Sequence, residues 1–130
     1  MKLEKKNFSQ LKKQADKVFS LHIRTKYANW KGEVRCYTCD KVFTIKTIQC
    51  GHYVSRVYSN TRWLPENCRP QCYGCNVMKR GNMDEFAIRL EKETPGILEK
   101  LNIWKHQTST VVKRLDLIYI INSYPLDNSL

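Results

Sequence analysis

At 130 residues the chain is long enough for one domain and short for two. Its 23 Lys plus Arg against 12 Asp plus Glu leave a net charge of +11, which excludes a cationic partner and makes a polyanion, most commonly nucleic acid, the natural one. No apolar run reaches the length of a membrane span and no hydrophobic signal core follows the lysine-rich start, so a reducing cytoplasm is expected.

The charge is uneven. Residues 1–35 hold ten basic and three acidic side chains, net +7, and residues 36–80 hold seven and two, net +5, whereas residues 81–130 hold six and seven, net −1. Phe8, Leu11, Ala15, Val18, Phe19 and Ile23 recur at helical spacing and predict an amphipathic helix over about 8–27, with Lys12, Lys13 and Lys17 off its apolar face. Val34-Arg35 then leads extended into Cys36-Tyr37-Thr38-Cys39, a knuckle that points two thiols the same way. Val42–Ile45 and Thr47–Cys50 are rich in β-branched residues and read as strands, placing His52 at or just past a strand end. Residues 54–66 read as an ordered loop carrying Arg56 and Arg62, Asn67–Gln71 as a returning strand limited by Pro70, and Tyr73 onward as a helix bearing Asn76 until Gly81.

Beyond Asn82 the pattern is helical. Asp84 and Glu85 suit a first turn, Thr94-Pro95 reads as the next helix start, and a third helix is expected over about 109–123 with Val112, Leu115, Ile118, Tyr119 and Ile121 or Asn122 inward. Leu117 and Ile120 make that helix apolar over most of its circumference, so it is either well buried or a candidate homodimer interface. Residues 124–130 read as a loose tail.

Two Cys-x-x-Cys pairs, Cys36 with Cys39 and Cys72 with Cys75, have the spacing of a closed tetrahedral zinc site, structural because four thiolates leave no open position. Neither pair opens a helix after a parallel strand, which disfavours redox thiols. Cys50 and Cys68 read as buried small hydrophobes, with exchange of Cys68 for Cys72 in the zinc set left open. Phosphodiester hydrolysis needs a base for water, a hard cation at the phosphate and a positive group for the added charge. His52, a magnesium held by Asn76, and Arg56 could supply these in that order.

These residues resemble the HNH or ββα-metal nucleases, and most closely the NinG (Rap) family of phage recombination endonucleases. The matching pieces are Asp16-Lys17-Val18-Phe19-Ser20 with Ile23-Arg24, Val34-Arg35-Cys36-Tyr37-Thr38-Cys39, Gly51-His52-Tyr53 with Ser55-Arg56, Thr61-Arg62-Trp63, Asn67, Gln71-Cys72 with Cys75-Asn76, and Gly81-Asn82, covering about residues 11–90. The resemblance implies an endonuclease acting on branched recombination intermediates such as four-way junctions or D-loops, with a structural zinc and a catalytic Mg2+ or Mn2+. It further implies His52 as general base, Asn67 orienting the imidazole and Asn76 binding the catalytic ion. Many HNH enzymes carry an aspartate directly before the base histidine; here that residue is Gly51, and Gln49, Asp40 and Glu85 are the candidates to assist Asn76.

The fold class expected is α+β: a zinc-stapled ββα-metal (HNH-like) core over residues 36–82, a basic N-terminal helix within 1–35, a helical cap over 83–123 and a tail over 124–130, in one domain. The expected function is metal-dependent DNA cleavage, with Lys12, Lys13, Lys17, Arg56, Arg62, Lys79 and Arg80 on phosphate. A zinc-dependent nucleic-acid-binding module without catalysis is the alternative; it accounts for the cysteines and the charge but leaves His52 and Asn76 unexplained.

Overall fold

The computed structural model describes residues 2–107 and 111–124. Helix α1, Phe8–Lys26, is the spine. Asn7 caps it reciprocally: its Oδ1 accepts from the Gln10 N–H at 2.8 Å while Gln10 Oε1 accepts from the Asn7 N–H at 2.9 Å. The predicted apolar face is the one buried, through Leu11, Ala15, Val18, Phe19 and Ile23. Its first half packs on Leu117 and Ile121 of α5 (Arg114–Ser123), and its second half on Cys68 of strand β4.

Two small antiparallel sheets follow. Strands β1 (Glu33–Arg35) and β2 (Val42–Thr44) pair with Val34 opposite Phe43 and flank the Cys36–Cys39 knuckle. The Cys36 N–H donates to the Lys41 carbonyl at 2.8 Å, and Asp40 turns the chain at φ 67°. Strand β3 (Gln49–His52) pairs with β4 (Cys68–Gln71) so that His52 faces Cys68, Gly51 faces Arg69 and Cys50 faces Pro70. Pro70 is tolerated for a geometric reason. Its carbonyl accepts from the Tyr37 N–H at 2.8 Å, so its hydrogen-bonding edge is turned away from β3 and the absent N–H leaves no gap in that ladder.

Between β3 and β4 runs a loop holding α2 (Ser59–Arg62) and a 3-10 turn, Pro65–Asn67. After β4 the expected helix is one turn of π-helix, Gly74–Met78, stopped by three successive left-handed residues, Arg80, Gly81 and Asn82, at φ 51°, 92° and 46°. Helices α3 (Met83–Glu93) and α4 (Ile97–Lys105) then enclose Phe86, Leu90, Ile97 and Leu101 with Val54. Glu93 ties α3 to the sheet: its Oε2 accepts from the Tyr37 hydroxyl at 2.7 Å and from Arg69 Nη2 at 2.9 Å.

Three expectations for the C-terminal helices are corrected. Helix α4 starts at Ile97 rather than at Thr94-Pro95, because Gly96 at φ 87° breaks the chain direction just before it. The last helix starts at Arg114 rather than 109, where the Lys113 N–H donates to Asp116 Oδ2 at 2.7 Å; residues 108–110 lie outside the described residues, as do 125–130 of the expected tail. Its buried residues are Leu117 and Ile121, while Leu115 and Tyr119 are 77% and 74% exposed. A helix apolar all round does not announce its inward side. Among the described residues, no helix is long and apolar enough to cross a membrane.

Candidate functional site

The sulfurs of Cys36, Cys39, Cys72 and Cys75 all lie within 4.8 Å of one another. Cys39 Sγ and Cys72 Sγ are 3.8 Å apart, the edge of a tetrahedron with Zn–S bonds of about 2.3 Å. The hairpin knuckle supplies one pair and the turn after β4 the other, with N–H groups aimed at sulfur: Cys72 N to Cys36 Sγ at 3.3 Å and Cys75 N to Cys72 Sγ at 3.4 Å. Burial alone would raise the Cys36 thiol, but the N–H donors of Cys72 and Thr38 outweigh it and bring it to about 6. Cys39 is pushed up to about 12, by burial and then by the neighbouring sulfurs once one is charged. Four sulfurs this close ionise together only around a dication, so the donor set fits a structural zinc. Cys68 lies with Cys50 and His52 instead, which removes it as a substitute for Cys72.

On the other side of β3 is a cleft of about 840 Å3. Helix α1 lines it with Lys13, Asp16, Lys17, Ser20 and Arg24; β3 and its loop with Gln49, Cys50, His52, Ser55 and Arg56; the π turn and its exit with Asn76, Arg80 and Met83. His52 is half-buried, and its Nε2 lies 2.8 Å from the Arg62 carbonyl oxygen. A carbonyl only accepts, so Nε2 carries the proton and Nδ1 keeps its lone pair. Burial lowers the His52 pKa, the Arg62 carbonyl raises it and nearby Arg56 lowers it, for a net decrease that favours the neutral imidazole at pH 7. Asn76 Nδ2 donates to Gln49 Oε1 at 2.8 Å, which orients the amide and leaves Asn76 Oδ1 available as a hard oxygen donor.

A family profile described as Bacteriophage Lambda NinG protein matches residues 1–126. The chain belongs to the NinG family. No curated protein and no solved structure matched it.

For a NinG-family chain the arrangement differs from expectation in several particulars. Asn67 does not touch the imidazole. It is fully buried, and its amide is spent on Val54 N–H (2.7 Å), Val54 C=O (3.0 Å) and Thr61 C=O (3.0 Å). It therefore holds the loop that delivers the Arg62 carbonyl, and the main chain orients His52. Arg62 is not a free phosphate contact either: its guanidinium forks onto Asp16 at 3.0 and 2.6 Å, and its side chain is only 14% exposed. Asp16 also accepts from Trp63 Nε1 at 2.9 Å and lies 3.9 Å from Arg56 Nη1. The sequence offers Asp16 only as part of the family pattern and gives it no role, since its partners are 40 or more positions away.

Of the remaining expected phosphate contacts, Lys13, Lys17, Arg56 and Arg80 line the cleft, and Lys12 and Lys79 lie outside its lining. Asp40 and Glu85 are committed to Arg89, both at 2.8 Å, and only Gln49 of the three candidate assistants reaches Asn76.

Gly51 is explained by space. A Cβ there would sit 2.0 Å from Gln71 Oε1. Gln71 is fully buried and fixed by Nε2 donation to Thr38 Oγ1 (3.0 Å) and to the Gly81 carbonyl (2.8 Å), so it has nowhere to move. A carboxylate at 51 would run into Gln71, on the face of β3 opposite Cys50 and His52. Gly51→Ala is expected to lower stability by about 1–3 kcal/mol, the usual cost of overpacking, read from urea unfolding; a midpoint equal to wild type would show that Gln71 yields.

Proposed function

We propose that the chain is a metal-dependent DNA endonuclease with an HNH-like ββα-metal centre, hydrolysing phosphodiester bonds in branched recombination intermediates. The observation that carries this reading is the cleft itself, where an imidazole with a free Nδ1 lone pair, an oriented amide oxygen and five cationic side chains line one cavity. A Mg2+ or Mn2+ ion held through Asn76 Oδ1, with water and phosphate completing its shell, would supply positive charge at the scissile phosphate. His52 Nδ1 takes the proton of the attacking water, and the Arg62 carbonyl keeps the imidazolium so formed in place through its Nε2 bond. Arg56, 60% exposed and only loosely held at 3.9 Å by Asp16, is free to swing to phosphate and meet the added charge. Preference for branched DNA rests on the family resemblance.

A binding module without catalysis needs only the four cysteines and the positive charge. It gives no reason for a neutral histidine and an oriented asparagine on the same cleft. Labelled four-way, forked and linear DNA, and matching RNA, incubated with the full chain in Mg2+, Mn2+ or EDTA separates the two. Cleavage of branched DNA that stops in EDTA is the expected result; binding without cleavage under every condition would remove the enzyme and leave the module.

Affinity for DNA should fall with salt. If Lys13, Lys17, Arg56 and Arg80 each neutralise one phosphate, the log–log slope is about −3.6, and Lys17→Ala should reduce its magnitude by about 0.9. An unchanged slope in Lys17→Ala would take α1 out of the interface.

A further inference from the structure

We propose that Cys50, His52 and Cys68 form a second metal site, selective for zinc or another soft divalent cation, with its fourth position open to the cleft. Two thiols and one ring nitrogen lie within 4.8 Å of one another. The β3–β4 pairing puts them there: His52 is directly opposite Cys68, and Cys50, two residues earlier, shares their side of the sheet. Tetrahedral zinc with about 2.3 Å bonds to sulfur needs edges of about 3.8 Å, so closure asks for a contraction of about 1 Å at most.

A second observation points to a ligand. Metal-bound histidines fix their ring by donating the other N–H to a carbonyl or carboxylate, and His52 Nε2 is held this way by the Arg62 carbonyl at 2.8 Å, leaving Nδ1 for coordination. Cys68 is fully buried, whereas Cys50 and His52 line the cleft, so an ion has a way in and a free coordination position on arrival. Two cysteines and a histidine with one open place are a known zinc donor set. Binding would release the two thiol protons to solvent.

The donor chemistry separates this site from the Asn76–Gln49 pair beside it. Amide oxygens suit magnesium and manganese, while thiolate and imidazole select zinc. An ion bound at His52 Nδ1 occupies the lone pair that water deprotonation needs, so zinc should inhibit magnesium-dependent cleavage. That consequence rests on the proposed nuclease function; the metal site does not.

The test uses the full chain already holding one zinc, titrated with Co2+ or Zn2+ alone. A second equivalent is expected, with thiolate-to-cobalt absorption in the near ultraviolet and two ions per chain by native mass spectrometry. Cys50→Ser should weaken that second equivalent by more than about 100-fold, beyond the 10–100-fold typical of losing a mere supporting partner. Iodoacetamide labelling of the wild type gives a readout independent of any variant: zinc should protect Cys50. Binding of one ion only, equal labelling of Cys50 with and without zinc, or a Cys50→Ser protein that takes up the second ion like wild type would each overturn the site. Inhibition of cleavage by added zinc, measured in each protein against its own rate with only the first zinc bound, should be relieved in Cys50→Ser. If no DNA is cleaved at all, ion count and labelling still decide the metal site, and the nuclease reading falls separately.

Discussion

Replacing Cys72 with serine, or stripping zinc with a strong chelator, is expected to unfold the chain. A four-thiolate zinc contributes about 10–16 kcal/mol of apparent binding energy at neutral pH, against a net stability of about 5–15 kcal/mol for an ordinary domain. Little else would hold the region together. Around the cysteines the buried apolar side chains are Val34 and Ile48, with Tyr27, Phe43 and Ile45 partly buried against them. The strands flanking the first knuckle are three residues each, and such short hairpins are marginal alone. The expected observation is one zinc per folded wild-type chain and loss of cooperative thermal unfolding in Cys72→Ser. A zinc-free protein with the wild-type melting transition would refute the assignment. Helix α1 against α5 has its own apolar contact through Leu11, Ala15, Val18, Leu117 and Ile121, so residual helical circular dichroism after chelation is compatible with it; the loss should be in cooperativity.

His52→Ala is expected to slow cleavage by about 10²–10⁴-fold, the usual contribution of a positioned general base, with DNA affinity near wild type because the cleft cations remain. The variant also strands the Arg62 carbonyl, at about 1–3 kcal/mol if water does not replace the imidazole. Melting must therefore be measured beside the rate. A folded His52→Ala that cleaves at the wild-type rate would assign the base elsewhere, while a rate loss matched by a collapsed melting temperature would make His52 structural. Asn76→Ala is the companion variant: its loss should be partly recovered by raising Mg2+ if Asn76 Oδ1 holds the ion, a rescue that His52→Ala should not show.

Much of this was legible in the chain. Apolar spacing located α1 to within a residue because a 19-residue helix offers five turns of pattern. Paired cysteines carry their own geometry, and the four expected sulfurs came together. The features that spacing does not reveal are short or distant. One π turn, Gly74–Met78, is too brief for periodicity to distinguish it from an α-helical turn. Arg62 looks like any loop arginine until Asp16, 46 positions earlier, arrives beside it. Asn67 sits near His52 in space and family pattern alike, yet its amide is satisfied by loop main chain, and only a complete count of its hydrogen bonds reveals this.

Strand β3 is four residues long and serves two chemistries on its two sides. Gly51 lies flat under Gln71 toward the cysteine cluster, while Cys50 and His52 face α1 and the cleft. A slip of one residue against β4 would exchange those sides, driving an imidazole into the space reserved for a glycine and presenting a glycine to the cleft. The collision at position 51 therefore acts as a key that admits one alignment only. Chain alignment and the make-up of the cleft become a single property, and a misaligned molecule should fail to fold rather than persist as a folded one with a different cleft.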